Sequence, residues 1–290
     1  PYGFFLEKAK DAPYAALIDS NEHTIISMSP ELFFKLSGES LICKPMKGTS
    51  KRGKNLHEDI ALMEELKNSE KDKAENIMIT DMLRNDMGKI SNTGSVKVLS
   101  EFDIEKYPTV WQMTSSIESQ TSASVAEIFE ALFPCASVTG APKVSSMKII
   151  SEIEEQPREI YTGAIGYIAP NNEAQFSVPI RTILSDNRAC RSVYGTGSGI
   201  VWDSESQKEW DECQNKSAIL SANSQNFELF ETMRRDSNKR IFLEKLHLDR
   251  LKDSAEFYNF KFHHEKINYK LKDYLKNLGS ESEKIIRLFL

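Results

Sequence analysis

Short strand-like runs alternate with helix-like segments along the first 220 residues, and this mixture constrains the fold more than any other feature. Alternating or β-branched runs lie at 14–18, 24–28, 95–99, 163–169, 174–184 and 189–194. Helical periodicity lies at 55–67, 73–87, 124–132, 142–153 and 206–220. The pattern predicts an α+β domain.

A polar stretch, Ser-Ala-Asn-Ser-Gln-Asn at 221–226, predicts a linker. Residues 223–290 hold 14 basic and 11 acidic side chains, a net charge of +3. Because the whole chain has a net charge of −6, residues 1–222 have a net charge of −9. We therefore predict two domains, 1–222 and 223–290. The second should contain a hairpin formed by 227–233 and 240–243, a helix at 245–257, a further helix and a strand at 284–290.

Composition excludes several classes of protein. The net charge is −6 and no basic stripe occurs, which argues against nucleic-acid binding. No apolar run approaches the roughly 20 residues of a membrane helix. Cys43, Cys135, Cys190 and Cys213 are scattered without metal-ligand spacing, so we expect reduced thiols and a cytoplasmic protein. Because the chain begins at Pro1 rather than methionine, we expect it to be a piece of a longer protein.

Lys47 lies in the pentapeptide Pro-Met-Lys-Gly-Thr at 45–49, which its proline and glycine predict to be a tight turn. The carboxyl of Glu31 is near in sequence. A lysine in such a turn is either a solvated surface residue or a nucleophile. Spacing alone leaves both readings open.

Other polar groups also have two interpretations. Glu209, Glu212 and Lys216 share one helical face, which is either a solvated surface with an ion pair or, together with Glu75 from another helix, a Mg²⁺ site. Arg181 interrupts an apolar strand, either at a solvated edge or as a receptor for a carboxylate.

Two loops could approach a ligand closely. Residues 139–141 lead into a helix whose free backbone N–H groups favour an anion. Residues 195–199 read Gly-Thr-Gly-Ser-Gly, a weak signal that a plain turn also explains. The spacing of a dinucleotide-binding loop is absent.

Five ordered motifs resemble those of the chorismate-utilising enzymes, over about residues 24–222. The motifs are Pro-Met-Lys-Gly-Thr at 45–49, Asp-Met-Leu-Arg-Asn-Asp at 81–86, Ser-Val-Thr-Gly-Ala-Pro-Lys at 137–143, Gly-Ser-Gly-Ile-Val at 197–201, and Glu-Trp-Asp-Glu at 209–212 with Asn-Lys at 215–216. Members of this family are anthranilate, aminodeoxychorismate, isochorismate and salicylate synthases. The resemblance implies large antiparallel sheets that form a β-sandwich core with helices outside, and a missing N-terminal part.

The third residue of the pentapeptide separates the members of this family. Anthranilate and isochorismate synthases have alanine there, whereas aminodeoxychorismate synthases have lysine. The resemblance therefore implies component I of aminodeoxychorismate synthase, which acts in p-aminobenzoate and folate biosynthesis. It implies that Lys47, with a neutral amine, attacks ring carbon 2 of chorismate while Glu31, as an acid, helps the 4-hydroxyl depart. The alternatives are anthranilate synthase component I and a non-catalytic, chorismate-binding regulatory subunit.

The same resemblance implies further roles. Mg²⁺ would be held by Glu75, Glu209 and Glu212. Substrate would be held by Arg181, Lys216, Thr139, Gly140, Gly197, Ser198 and Gly199. Gln112 stands where many members have histidine; because an amide transfers no proton near neutral pH, we expect it only to hydrogen-bond the substrate. A glutamine amidotransferase subunit would supply ammonia.

The tail resembles the start of an aminodeoxychorismate lyase, a pyridoxal-phosphate enzyme of the aminotransferase class IV type. Phe-Glu-Leu-Phe-Glu-Thr-Met at 227–233 and His-Leu-Asp-Arg-Leu at 247–251 support this. Arg250 matches the arginine that contacts the cofactor's phosphate. The Schiff-base lysine of that family would follow Leu290, so we expect a truncated small α+β domain that binds no pyridoxal phosphate in this fragment. The resemblance implies that the parent protein is a synthase–lyase fusion.

Overall fold

The computed structural model describes residues 2–9, 12–202, 204–220, 227–236, 240–278 and 283–290. The helices are α1 (Tyr2–Ala9), α2 (Leu56–Asn68), α3 (Glu70–Gly88), α4 (Val125–Leu132), α5 (Lys143–Ile153), α6 (Ser206–Ser217), α7 (Glu244–Tyr258) and α8 (His264–Asn277). The strands are β1 (Tyr14–Asp19), β2 (His23–Ser29), β3 (Leu32–Ser37), β4 (Ser40–Lys44), β5 (Met46–Lys51), β6 (Lys97–Lys106), β7 (Val110–Gln120), β8 (Ile165–Ala169), β9 (Glu173–Ser177), β10 (Thr182–Asp186), β11 (Arg191–Tyr194), β12 (Phe230–Arg235) and β13 (Lys284–Phe289).

The chain forms two compact units. The first is Pro1–Lys51 with Met63–Ser224, and the second is Arg52–Leu62 with Gln225–Leu290. The boundary predicted at 222/223 falls within 221–226, outside the described residues. None of the helices described is long and apolar enough to cross a membrane.

Two antiparallel sheets build the first unit. Seven strands form the larger sheet in the order β5-β7-β4-β3-β9-β8, with β6 also paired to β7, and four form the smaller in the order β1-β2-β10-β11. All the strand pairs described are antiparallel. The α+β prediction is confirmed.

The main hydrophobic core packs α3 and α4 against the larger sheet. Phe33 and Phe34 of β3 are essentially buried, and Phe34 makes an edge-to-face contact with Phe129 of α4 at a centroid distance of 5.3 Å. Ile79 and Leu83 on α3 join the same cluster. Burial of each such side chain stabilises the unit by about 1.5–3 kcal/mol, so this core holds α3 firmly beneath the sheet.

The chain crosses between the two sheets twice, and the crossings lie side by side. Glu31 lies in the first, between β2 and β3, and residues 178–181 form the second, between β9 and β10. Val178 N–H donates to the carbonyl of Glu31 at 3.1 Å, and Met28 N–H donates to the carbonyl of Arg181 at 3.1 Å. The single strand predicted at 174–184 is therefore wrong. A proline at 179 and the left-handed backbone of Arg181 (φ 52°) end one strand and redirect the chain into the other sheet.

The second unit pairs β12 with β13 and packs α7 and α8 around two small clusters. Of the predicted hairpin, the described residues form one bridge, between Arg235 and Ile241. The strand β12 pairs instead with β13. The turn of the hairpin, at 237–239, lies outside the described residues. Arg52 also belongs to this unit, where its guanidinium donates to both carboxylate oxygens of Asp59 at 2.6–2.7 Å and stacks over the Phe257 ring.

Candidate active site

Glu31 is a buried carboxyl at the first crossing between the sheets. Its side chain is 3% exposed, and the hydroxyl of Ser137 donates to Oε1 at 2.5 Å. Burial raises the pKa of Glu31 to about 7, against the opposing effects of the Ser137 hydrogen bond and the charges of Lys47 and Lys216. A carboxyl with such a pKa is about half protonated at neutral pH and largely protonated below it, as an acid catalyst requires.

Lys47 lies in a strand, and the tight turn predicted around it is wrong. Residues 46–51 form β5, paired with β7, and Gly48 adopts φ 91° within an irregularity of the pairing. The Lys47 amine lies 3.2 Å from the position that a Cβ on Gly199 would occupy. Its charge also lowers the pKa of Glu31.

Lys216 joins α6 to the glycine-rich loop. Its amine donates to the carbonyl of Gly197 at 2.8 Å and pairs with Glu212 at 2.6 Å. The hydroxyl of Tyr194 donates to the carbonyl of Lys216 at 3.0 Å, which ties β11 to the end of α6. The ion pair between Glu212 and Lys216 is the one expected under the solvated-surface interpretation of this helical face, and Lys216 also lowers the pKa of Glu31.

Two tyrosines shape the glycine-rich loop and its surroundings. A Cβ on Gly195 would lie 2.3 Å from Cγ of Tyr161, and one on Gly197 would lie 3.2 Å from the hydroxyl of Tyr161. Glycine is therefore required at 195 so that the loop can pass over this ring. Sequence reasoning did not find Tyr161 or Tyr194, because nothing in the spacing links them to the loop.

Arg181 is a half-buried cation on the second crossing. Burial lowers its pKa, and the phenols of Tyr194 and Tyr107 oppose this effect. Among the residues described, no acidic side chain lies within ion-pairing distance of its guanidinium. A partly desolvated guanidinium of this kind is suited to bind a carboxylate with two hydrogen bonds.

The three candidate metal ligands lie on α3 and α6. Glu209 accepts hydrogen bonds from the hydroxyls of Ser198 and Ser204, which lower its pKa. The amine of Lys71 lies 4.0 Å from the carboxylate of Glu75, and its charge also lowers the pKa of Glu209. Within the described ranges, no three acidic, histidine or cysteine side chains are close enough to hold a metal by themselves.

The loop at 136–142 reaches the site through Ser137. The hydroxyl of Ser137 binds Glu31, as described above, and also contacts the Cys135 thiol at 3.2 Å. The Thr139 hydroxyl donates to carbonyls of its own loop, and a Cβ on Gly140 would lie 2.9 Å from the Ser146 hydroxyl. Local packing thus explains Thr139 and Gly140, whereas Ser137, not predicted as a site residue, touches the candidate acid.

Gln112 is buried in β7 opposite Thr49. Its amide donates to the carbonyl of Gly48 at 2.9 Å and accepts from the hydroxyl of Thr49 at 3.0 Å. The side chain therefore binds the strand that contains Lys47. Substrate contact by Gln112 remains a prediction.

Arg250 lies in the second unit. Its Nε and Nη2 donate to the buried carboxylate of Glu231 at 2.6 and 2.5 Å, and His247 Nδ1 lies 2.8 Å from the same carboxylate. The guanidinium is thus held by an acid of its own unit, while most of its side chain is exposed. Contact of Arg250 with the phosphate of a cofactor remains a prediction.

Contacts at the site join residues of four of the five motifs: Ser137 binds Glu31, Lys47 lies against Gly199, and Lys216 binds the carbonyl of Gly197. Comparison with known proteins identifies a family for the chain. Residues 5–222 match the chorismate binding enzymes. The chain belongs to this family. Its two antiparallel sheets are those of the family's solved structures: the crystal structure of anthranilate synthase component I from Streptococcus pneumoniae TIGR4 matches with a TM-score of 0.69 and 31% identity, covering 77% of this chain and 49% of that one.

Chorismate-binding relatives with two different names are equally similar. Aminodeoxychorismate synthase component 1 of Bacillus subtilis (strain 168) is 38% identical over 224 residues, 76% of this chain and 47% of that protein. Anthranilate synthase component 1 of Aquifex aeolicus (strain VF5) is 37% identical over 211 residues, 72% of this chain and 42% of that protein. The chain thus spans less than half the length of these relatives, and identity does not choose between the two names.

Proposed function

We propose that this chain is the chorismate-binding part of an aminodeoxychorismate synthase component I, which replaces the 4-hydroxyl of chorismate by an amino group. The observation that supports this most directly is Lys47, the lysine in the third place of the pentapeptide, whose amine lies against Gly199 and whose charge lowers the pKa of Glu31. The similar protein from Bacillus subtilis is named aminodeoxychorismate synthase component 1. The product, 4-amino-4-deoxychorismate, leads to p-aminobenzoate and folate.

Cationic groups around Glu31 suit a substrate with two carboxylates. Arg181, partly buried and without an acidic neighbour among the described residues, would bind one carboxylate with two hydrogen bonds. Lys216 and the backbone N–H groups of 197–199 would bind the other. With both carboxylates held in this way, the substrate ring would lie between Lys47 and Glu31.

The reaction has two displacements. The neutral amine of Lys47 would form a bond to ring carbon 2 while the two conjugated ring double bonds shift and the bond from carbon 4 to the hydroxyl breaks. Glu31 would give that hydroxyl a proton, so that water leaves, and would then take back the proton that the bonded lysine nitrogen loses. Ammonia would bond to carbon 4 as the two double bonds shift back and the bond from Lys47 to carbon 2 breaks, and a proton from the new ammonium would pass to the departing amine. The protein thereby divides one difficult substitution into two easier ones.

We further propose that Glu75, Glu209 and Glu212 hold Mg²⁺. The donor set is suitable, since Mg²⁺ prefers carboxylate oxygens and is commonly held by one or two of them together with substrate and water. The ammonium of Lys71 lies 4.0 Å from Glu75 and lowers the pKa of Glu209, so positive charge is favourable for both carboxylates. When bound, the ion would neutralise and orient a substrate carboxylate.

The ammonia would come from a glutamine amidotransferase partner. The relatives named component 1 support a second component. We place the reaction in the cytoplasm. We also propose that the second unit is the start of an aminodeoxychorismate lyase, which would use the product of the first reaction.

Product analysis tests this proposal. The protein is incubated with chorismate, ammonium and Mg²⁺, and the products are separated and identified by mass spectrometry. We expect 4-amino-4-deoxychorismate, and we expect Lys47→Ala to lower its rate of formation at least about a thousandfold. Lys51→Ala, an exposed lysine on the same strand, is the matched control and should keep full activity.

Three outcomes would contradict the proposal. Fluorescent anthranilate as the product would identify an anthranilate synthase, the alternative that the Aquifex aeolicus relative favours. Full amination activity in Lys47→Ala would show that Lys47 is not the nucleophile. Chorismate binding without turnover at every ammonium and Mg²⁺ concentration tested would indicate a non-catalytic regulatory subunit.

A further inference from the structure

The strand that contains Lys47 has one extra residue at the site. Between paired positions, β5 advances three residues, from Met46 to Thr49, while β7 advances two, from Thr114 to Gln112. The extra residue makes a β-bulge at 47–48, here called the lysine bulge. A bulge bends its strand and redirects a side chain, but it also takes backbone groups out of the regular ladder.

Gln112 replaces ladder hydrogen bonds on one side of the lysine bulge. Its Nε2 donates to the carbonyl of Gly48 at 2.9 Å, and its Oε1 accepts from the hydroxyl of Thr49 at 3.0 Å. The side chain is only 8% exposed. Because both ends of one rigid amide bind neighbouring residues of β5, the amide fixes the backbone directly after Lys47.

Asn76 of α3 holds the other side. Its Nδ2 donates to the carbonyl of Lys47 at 3.4 Å, while its Oδ1 accepts from the hydroxyls of Ser115 at 2.5 Å and Thr80 at 3.4 Å. The two hydroxyls determine which way the amide faces, so its N–H groups point toward the bulge. Asn76 is 1% exposed, on a helix that the main core holds in place.

We propose that Gln112 and Asn76 are positioning residues that clamp the lysine bulge and so aim the amine of Lys47 at the space between Glu31 and Gly199. This inference rests on the proposed role of Lys47 as the nucleophile. It gives the glutamine at position 112 a role that needs no proton transfer. An amide suits it, since it is uncharged at every pH and presents a donor and an acceptor on one carbon.

The test compares Gln112→Leu and Asn76→Leu with a matched control, Gln120→Leu, an exposed glutamine on the same strand. Gln112→Glu is the fourth variant: it keeps an acceptor for Thr49 but turns an oxygen toward the carbonyl of Gly48. The kcat and KM for chorismate are measured for each. Because a displacement of about 1 Å can cost about 100-fold in rate, we expect kcat to fall about 10- to 100-fold in all three clamp variants, with KM within about threefold of wild type. Gln120→Leu should change neither.

Two measurements that need no turnover accompany the kinetics. Hydrogen exchange of 46–50 should become faster in the clamp variants and stay unchanged in the control. In the clamp variants, the rate at which an amine-directed reagent labels Lys47, measured by peptide mass spectrometry, should approach the labelling rate of the exposed Lys35 in the same molecule.

Each outcome decides a specific point. A raised KM with unchanged kcat in Gln112→Leu would make Gln112 a substrate contact and overturn the clamp. Unchanged exchange and labelling in both leucine variants would also overturn it, whatever the activity. If exchange and labelling change as expected but Lys47→Ala keeps full amination, the clamp stands and the proposed nucleophile fails.

Discussion

Replacing Glu31 by glutamine should make the first unit more stable at alkaline pH than the wild type. The folded state raises the pKa of Glu31 from 4.5 to about 7, chiefly because the carboxyl is buried. Between these values the native carboxyl keeps a proton that the unfolded chain has lost, so the free energy of unfolding falls as pH rises. At about 1.4 kcal/mol per pH unit, the wild type should lose about 3 kcal/mol from this group between pH 4.5 and 7.

Glutamine has nearly the same shape and does not titrate, so Glu31→Gln should escape this loss. Denaturant unfolding of both proteins from pH 5 to 8.5, followed by tryptophan fluorescence, measures the difference. All three tryptophans, Trp111, Trp202 and Trp210, belong to the first unit, so their fluorescence reports on it. The matched control is Glu173→Gln, which replaces an exposed acid on β9 by the same amide.

The stability difference between Glu31→Gln and wild type should grow by about 3 kcal/mol from the acid to the alkaline end and level off above pH 7. A difference that stays constant within about 0.5 kcal/mol would refute the reasoning, because the carboxyl would then titrate alike in the folded and unfolded states. The same protonation should appear in catalysis: kcat/KM for chorismate should fall as pH rises through about 7.

Three further substitutions test other parts of the structure. Gly48→Ala puts a Cβ at φ 91° and 3.0 Å from Cβ of Asp72, so it should destabilise the first unit by about 1–3 kcal/mol in denaturant unfolding; unchanged stability would contradict the strain. Glu209→Gln should raise the Mg²⁺ concentration for half-maximal activity at least about tenfold, and an unaltered Mg²⁺ titration would remove this residue as a ligand. Glu231→Gln breaks the buried pair with Arg250 and should destabilise the second unit by about 2 kcal/mol, seen as faster hydrogen exchange in α7; unchanged exchange there would show that the pair adds nothing.

The helices and the outer strands could be predicted from the sequence because each has a periodic apolar face. The runs at 14–18 and 24–28 correspond to β1 and β2, and the five helical segments predicted before residue 221 correspond to α2–α6. By contrast, β7 was missed because buried polar residues such as Thr114 and Ser115 interrupt its apolar pattern. Their hydroxyls are satisfied by partners distant in sequence, which no local pattern reveals.

The candidate site shows the same division. The family resemblance indicated roles for both Lys47 and Glu31, yet the local signal of proline and glycine predicted a turn where the structure has a bulged strand. The partners that tune the two groups, Ser137 on Glu31 and Asn76 on the lysine bulge, come from other elements of the fold. Contacts of this kind depend on tertiary packing, so only coordinates could identify them.

The most direct test of the account is the mass of the peptide that contains Lys47 after incubation with chorismate and Mg²⁺ in the absence of ammonia. If Lys47 attacks ring carbon 2, this peptide should gain the mass of chorismate less one water, and added ammonium should remove the adduct while aminated product forms. The adduct should be absent in Lys47→Ala and much reduced in Glu31→Gln. Formation of aminated product with no adduct on Lys47 under any of these conditions would contradict the central claim.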